Sequence, residues 1–97
     1  MFHFKESIKT ISGEQYKDDR NIEIVNFPFV TTIGSWAFSR CENLKTVHFP
    51  YAETMGSNAF HNCKKLKTAY FPKAITLGMW AFEGCVKLRT AYFPVAI

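Results

Sequence analysis

The stretch IGSWAFSRCENLKTVHFPYAET at residues 33–54 is written again as MGSNAFHNCKKLKTAYFPKAIT at 55–76 and as LGMWAFEGCVKLRTAYFPVAI at 77–97. Gly34, Gly56 and Gly78 recur at a 22-residue step. At the same step come Ala37-Phe38, Ala59-Phe60 and Ala81-Phe82, then Cys41, Cys63 and Cys85, then Leu44, Leu66 and Leu88. Phe49-Pro50, Phe71-Pro72 and Phe93-Pro94 close each copy. A fixed period in the low twenties marks a solenoid, in which each coil buries its apolar side only against its neighbours. Buried positions then recur because stacking requires it, and function is to be sought in the exposed columns.

A worn copy precedes these three. Ile11 aligns with Ile33, Tyr16 with Phe38, Ile22 with Leu44, Val25 with Val47, and Phe27-Pro28 with Phe49-Pro50, while Asp19 stands in the Cys41 slot. Phe2, Phe4 and Ile8 read as the tail of one further coil. The expected organisation is one domain over 1–97, with 1–32 a degenerate N-terminal cap and 33–54, 55–76 and 77–97 the regular repeats. A more polar first repeat suits a cap, because its outer face meets water.

Inside a coil, Leu44, Val47 and Phe49 face inward while Thr46 and His48 alternate outward, the period of a strand with one buried face. Pro50 has no N–H to donate and ends the strand. Ala52 and Met55 turn inward again. Gly56-Ser57 opens a tight turn with Ser57 as N-cap. The next five residues, Asn58 to Asn62, predict a single helical or 3₁₀ turn on the outer side. Stacked coils of this kind make one parallel sheet, with strands about 4.8 Å apart.

The pattern carried by Ile33-Gly34, Ala37-Phe38, Cys41, Leu44, Val47 and Phe49-Pro50 resembles the BspA-type leucine-rich repeat, strongly over 33–97 and weakly over 8–32. The resemblance implies an α/β, right-handed leucine-rich-repeat solenoid, with a parallel sheet on one face and short helical turns on the other. It further implies adhesion and protein recognition at a cell surface or after secretion. The N-terminus MFHFKESIKTIS has no apolar h-region, so no signal peptide is read here. Free cysteines are also compatible with the cytoplasm.

Ten Phe, four Tyr and two Trp, in a chain 47% hydrophobic and 21% charged, give an ordinary globular balance with much to bury. No run approaches the roughly 18–20 apolar residues of a membrane-spanning helix. The net charge of +4 is uneven. Residues 1–32 hold four basic and five acidic side chains, and residues 33–97 hold eight basic and three acidic.

The three cysteines do not suggest a metal site, because zinc needs thiolates converging on one point and a column with one thiol per coil does not converge. Parallel Cβ vectors also fit disulfide geometry poorly. They are expected to be small buried groups. His3, His48 and His61 fall on different parts of the coil, no Ser-His-acid or Cys-His set is suggested, and Asp18-Asp19 reads as a loop. No catalytic residue, cofactor or metal is expected, and the chain reads as a non-enzyme.

The strand face is the candidate site. Its outward columns run Asn26, His48, Tyr70, Tyr92 and Ile24, Thr46, Thr68, Thr90, flanked by Lys45, Lys67 and Arg89. Tyr and Arg are enriched among binding hot spots, and like charges on neighbouring strands repel unless an acidic partner relieves them. Thr and Tyr also serve strand propensity alone. The leading expectation is thus a protein-interaction module with an acidic protein partner. Trp36 and Trp80, with Asn58 between them, are expected to cover the turn below. Past the last strand no further cap follows, and Phe82, Leu88 and Phe93 are expected to form an open apolar end. An exposed edge of this kind templates stacking with another chain, so a structural repeat forming an end-to-end homodimer is the alternative. Nucleic acid or another polyanion, held by Lys45, Lys64, Lys65, Lys67, Lys87 and Arg89, is the least favoured partner, since no nucleic-acid motif accompanies the charge.

Overall fold

The computed structural model describes the backbone of residues 2–4 and the whole of residues 8–93. Pro94 and the side chains of Phe2 and Phe4 lie outside the described residues. Among the described residues, nine short strands fall into two parallel sheets. The first contains β1 (Phe2–Phe4), β3 (Ile24–Asn26), β5 (Thr46–His48), β7 (Thr68–Tyr70) and β9 (Thr90–Tyr92), in that order. Each strand pairs with its neighbour at the 22-residue step, as Val25 with Val47 and Val47 with Ala69. β1 continues this sheet, so the further coil read from Phe2 and Phe4 is there in the backbone.

A second sheet was not expected. It is built from β2 (Thr10–Ile11), β4 (Thr32–Ile33), β6 (Thr54–Met55) and β8 (Thr76–Leu77), again parallel and at the same step. One residue of each pair is a threonine turned to solvent. The other is Ile11, Ile33, Met55 or Leu77, packed on the core.

The third side differs from the expectation of helical turns: among the described residues there is no helix. Residues 58–62 and their equivalents are tight turns instead. Alternate N–H groups close four-residue turns within the coil, as Ala37 N to Gly34 O and Ser39 N to Trp36 O. The others reach across to the next coil: Trp36 N to Ser57 O at 2.9 Å, Phe38 N to Ala59 O at 2.7 Å and Arg40 N to His61 O at 2.7 Å. A helix would spend every N–H within its own segment. Here half of them hold the stack together, and the cost is left-handed backbone at Trp36, Arg40, Asn58, Asn62 and Trp80, with φ between 58° and 62°. Asn tolerates that region; Trp and Arg do so only because the surrounding bonds impose it.

The core is two interleaved columns of rings. Tyr16, Phe38, Phe60 and Phe82 stack at 5.0–5.3 Å, and Phe27, Phe49, Phe71 and Phe93 at 5.3–5.5 Å. The columns meet edge to face, as Phe49 on Phe60 at 6.3 Å and Phe60 on Phe71 at 5.8 Å. Both arrangements suit the quadrupoles of the rings. Leu44, Leu66, Cys41, Cys63, Ala37 and Ala59 fill the space between, all wholly buried.

The cysteine column does more than occupy volume. Each thiol donates to a carbonyl of the preceding coil, Cys41 to Tyr16, Cys63 to Phe38 and Cys85 to Phe60, each at 3.1 Å. The thiols are free. Its neighbours Cys41 and Cys85, together with burial, push the Cys63 thiol above its ordinary value, which keeps it a hydrogen-bond donor rather than a nucleophile.

Candidate functional site

The outward positions of the first sheet form one continuous polar ladder. Strand register brings Asn26, His48, Tyr70 and Tyr92 into line. His48 Nδ1 lies 3.3 Å from Asn26 Oδ1. The His48 ring stacks on Tyr70 at 4.6 Å with 8° between planes, and Tyr70 stacks on Tyr92 at 5.7 Å and 10°. The paired ring faces are therefore spent on one another, and the outer face of Tyr92 has no ring partner among the described residues. What the ladder offers to a partner is a row of edges, carrying imidazole nitrogen and phenol hydroxyls. Thr46, Thr68 and Thr90 run beside it in register.

Lys45, Lys67 and Arg89 stand one residue before each strand and are exposed. Their backbones continue the ladder, with Lys67 N bonded to Lys45 O at 2.9 Å and Arg89 N to Lys67 O at 3.0 Å. That places three cations on consecutive rungs. None of the three has an acidic partner among the described residues, whereas Arg40 is held by Asp18 at 2.7 Å, Arg20 lies 3.7 Å from Glu42 and Lys17 lies 3.9 Å from Glu14. The Arg40 guanidinium, hydrogen-bonded to Asp18, holds that carboxyl below its ordinary value. Lys64, Lys65 and Lys87 are exposed in the turns just before the same strands, and Lys65 donates to Asn43 at 3.1 Å. The basic residues are thus brought to one margin of the first sheet.

Trp36 is half-buried, edge-on to His61 at 5.6 Å and beneath the Lys17 ammonium, also at 5.6 Å. It covers its turn. Trp80, 57% exposed on the last described coil, does not. On that coil Cys85, Leu88, Phe82 and Phe93 are only partly buried, and Met79, Val86 and Tyr92 are exposed at 63%, 77% and 50%. Their equivalents one coil back include Cys63, Leu66, Phe60 and Phe71, all wholly buried.

One constellation was missed in the sequence. Ser39, His61 and Glu83 share a single column, separated by 22 residues each, and His61 Nε2 lies 3.1 Å from Glu83 Oε1. The Ser39 hydroxyl is wholly buried, and neither it nor His61 Nδ1 has a hydrogen-bond partner among the described residues. A nucleophile must reach both its base and its substrate, and this hydroxyl reaches neither. The 22-residue spacing alone would have found the set. A buried hydroxyl without a partner costs stability, so Ser39→Ala is expected to stabilise the fold by about 1 kcal/mol. Urea unfolding of the two proteins checks this, and a destabilised variant would show that the hydroxyl is satisfied.

Among the described residues there is no group of three or more His, Cys, Asp and Glu side chains that could hold a metal ion. No helix among them is long and apolar enough to cross a membrane.

The family model described as BspA type leucine rich repeat region matches residues 1–97 in six copies. No curated protein matches. Among solved structures, the chain is similar to a leucine rich cell surface protein from Faecalibacterium prausnitzii A2-165, with a TM-score of 0.67 and 16% sequence identity over 96% of this chain. The match takes in 32% of that protein's own length. At this identity the likeness concerns the fold, a stack of parallel-strand coils. With the family pattern running from end to end, the chain belongs to the BspA-type leucine-rich repeat family.

Proposed function

We propose that the chain is a non-enzymatic protein-recognition module that binds an acidic protein segment across the first sheet. Repeats of this family are generally protein-interaction or surface modules, and the sheet face of a solenoid is an extended binding surface. The observation that carries the reading is the stacked ladder of His48, Tyr70 and Tyr92 beside three cations without acidic partners. Thr46, Thr68 and Thr90 supply hydroxyls along it, and Lys45, Lys67 and Arg89 supply the charge. Because the rings stack on each other, contact is made by their edges. Tyr70→Phe with Tyr92→Phe therefore weakens binding nearly as much as Tyr70→Ala with Tyr92→Ala. Under the same reading residues 1–97 form one domain, with 1–32 capping the repeats 33–54, 55–76 and 77–97.

The test uses the wild-type protein as bait beside two variants, Tyr70→Phe/Tyr92→Phe and Lys45→Glu/Lys67→Glu/Arg89→Glu. The expected result is a partner retained by wild type and lost from both, with unchanged thermal melting and a wild-type affinity that falls as salt is raised. Equal retention by all three proteins refutes the site.

A second reading rests on the last described coil. The exposure of Met79, Val86 and Tyr92, with Phe82, Leu88 and Phe93 only partly covered, leaves apolar surface beside β9, the last strand of the sheet among the described residues. Surface of that kind supports end-to-end stacking of two copies. Sedimentation at micromolar concentration is then expected to give a dimer that Val86→Glu with Leu88→Glu returns to monomer. A wild-type protein that sediments as a monomer rules the reading out.

A further inference from the structure

Away from the first sheet, a cavity of about 360 Å³ is lined by Lys9, Phe29, Thr31, Tyr51 and Glu53. Its size falls in the range of small-molecule sites, roughly 300–1,000 Å³. Two columns of the solenoid form its walls. On one side, the segments Phe27-Pro28-Phe29-Val30 and Phe49-Pro50-Tyr51-Ala52 turn on bonds from Val30 N to Phe27 O and from Ala52 N to Phe49 O, each 3.4 Å. Proline in the second position of such a turn fixes the backbone and leaves the third side chain pointing outward. Phe29 and Tyr51 hold that third place and are each 52% exposed. On the other side, Lys9, Thr31 and Glu53 are tied rung to rung, Thr31 N to Lys9 O at 2.9 Å and Glu53 N to Thr31 O at 2.8 Å. The walls are therefore fixed by the same ladder that builds the core.

Two further observations point to a ligand. Aromatic side chains on successive coils stack on one another elsewhere in this fold, through both core columns and the strand face. Phe29 and Tyr51 also occupy one column on successive coils, yet neither ring has a ring partner among the described residues. Their faces remain available. The rim carries one ammonium, Lys9, and one carboxylate, Glu53, and neither is in an ion pair among the described residues. The rim charges cancel, which favours an uncharged ligand that both accepts and donates hydrogen bonds.

We propose that this groove binds a neutral saccharide ring. The ring's C–H face lies against Phe29 or Tyr51, where the negative face of the aromatic quadrupole meets weakly positive C–H groups. Its hydroxyls accept from the Lys9 ammonium and donate to the Glu53 carboxylate, both charge-assisted. The exposed column Thr10, Thr32, Thr54 and Thr76 runs one residue beyond the Lys9–Thr31–Glu53 wall. It offers further hydroxyls along the solenoid axis to a second sugar unit.

The proposal is tested by titrating the ¹⁵N-labelled protein with glucose, galactose, mannose and N-acetylglucosamine and with their β-1,4-linked disaccharides, following the amide resonances. At least one sugar is expected to shift the amides of residues 29–31 and 51–53 saturably. Tyr51→Ala and Glu53→Gln each weaken it about tenfold or more. Both side chains are exposed, so neither change threatens the fold, and an unchanged spectrum elsewhere confirms that. Tyr70→Ala, on the other face, leaves the titration as it is. The absence of any saturable shift at tens of millimolar overturns the proposal. Shifts that survive Tyr51→Ala also overturn it, as does saturation of the same amides by a charged peptide when no sugar acts.

Discussion

Phe60→Ala is expected to destabilise the protein by about 4 kcal/mol, in the middle of the range for buried phenylalanine. Phe60 is wholly buried and touches rings on four sides. It stacks on Phe38 at 5.0 Å and on Phe82 at 5.3 Å, and meets Phe49 and Phe71 edge to face. Truncation empties the middle of one column and takes a wall from the other. The Phe60 main chain fixes the spacing to the following coil twice over: its N–H bonds to Ala81 O at 2.8 Å, and its carbonyl takes the Cys85 thiol. The surrounding rings therefore have little freedom to collapse into the space.

The solenoid makes this loss act twice. Stability of a repeat array is close to a sum over coils and the interfaces between neighbours. Phe60 belongs to the interface below, through Phe38, and to the interface above, through Phe82. A small domain holds about 5–15 kcal/mol in total, so the variant sits near the edge of folding. Phe82→Ala is the control, since Phe82 is only partly buried and stacks in its column against Phe60 alone among the described residues. Urea unfolding followed by circular dichroism is expected to rank wild type, Phe82→Ala and Phe60→Ala in descending order. Equal losses from the two would mean that the last coil is as tightly packed as the middle one.

The inward half of this structure is written openly in the sequence. Leu44, Val47, Phe49, Ala52, Met55, Ala59, Phe60, Cys63 and Leu66 are all buried, as the repeat pattern requires. The outward alternation of Thr46 and His48 likewise located β5 and its polar ladder. The second sheet escaped because each strand is two residues long. Thr54-Met55 offers a single alternation, which cannot be told from a loop turning inward. The helical reading of 58–62 failed for a different reason. Asn58, Asn62 and Gly84 are residues that accept left-handed backbone, but their column-mates are Trp36, Trp80 and Arg40, which conceal the signal. Hydrogen bonds to the next coil dictate that backbone, and no local preference records them. The groove at Phe29 and Tyr51 was passed over because Lys73 breaks its column, so no repeated aromatic drew attention to it. Ser39, His61 and Glu83 went unseen for the opposite reason: each differs from its column-mates, and only the register joins them.

Gly56→Ala is expected to cost about 3 kcal/mol or more, at or beyond the upper end for overpacking. The cause is the approach of coils rather than the freedom of the glycine backbone. Gly84 has φ at +81°, where glycine is favoured, but Gly56 does not adopt left-handed backbone. A β-carbon on Gly56 would lie 2.7 Å from both Cα and Oγ of Ser35, and closer still to the Ser35 amide nitrogen. The obstructing atoms are mostly main chain, so no rotamer change relieves them. Relief requires the coil at residues 33–36 to move away. That motion stretches two bonds which set the coil spacing, Gly56 N to Ile33 O at 2.8 Å and Trp36 N to Ser57 O at 2.9 Å. The first coil provides the comparison: a β-carbon on Gly13 comes no nearer than 3.3 Å to Ser35 O. Gly13→Ala is therefore expected to lose less than about 1 kcal/mol, although it makes the same chemical change. Gly13 stands one residue after that column, whose first-coil member is Ser12; a glycine kept for backbone flexibility would give similar losses at the two positions. One kept for contact between coils gives a large loss at Gly56 and a small one at Gly13, and matched urea unfolding curves for the two variants decide between them.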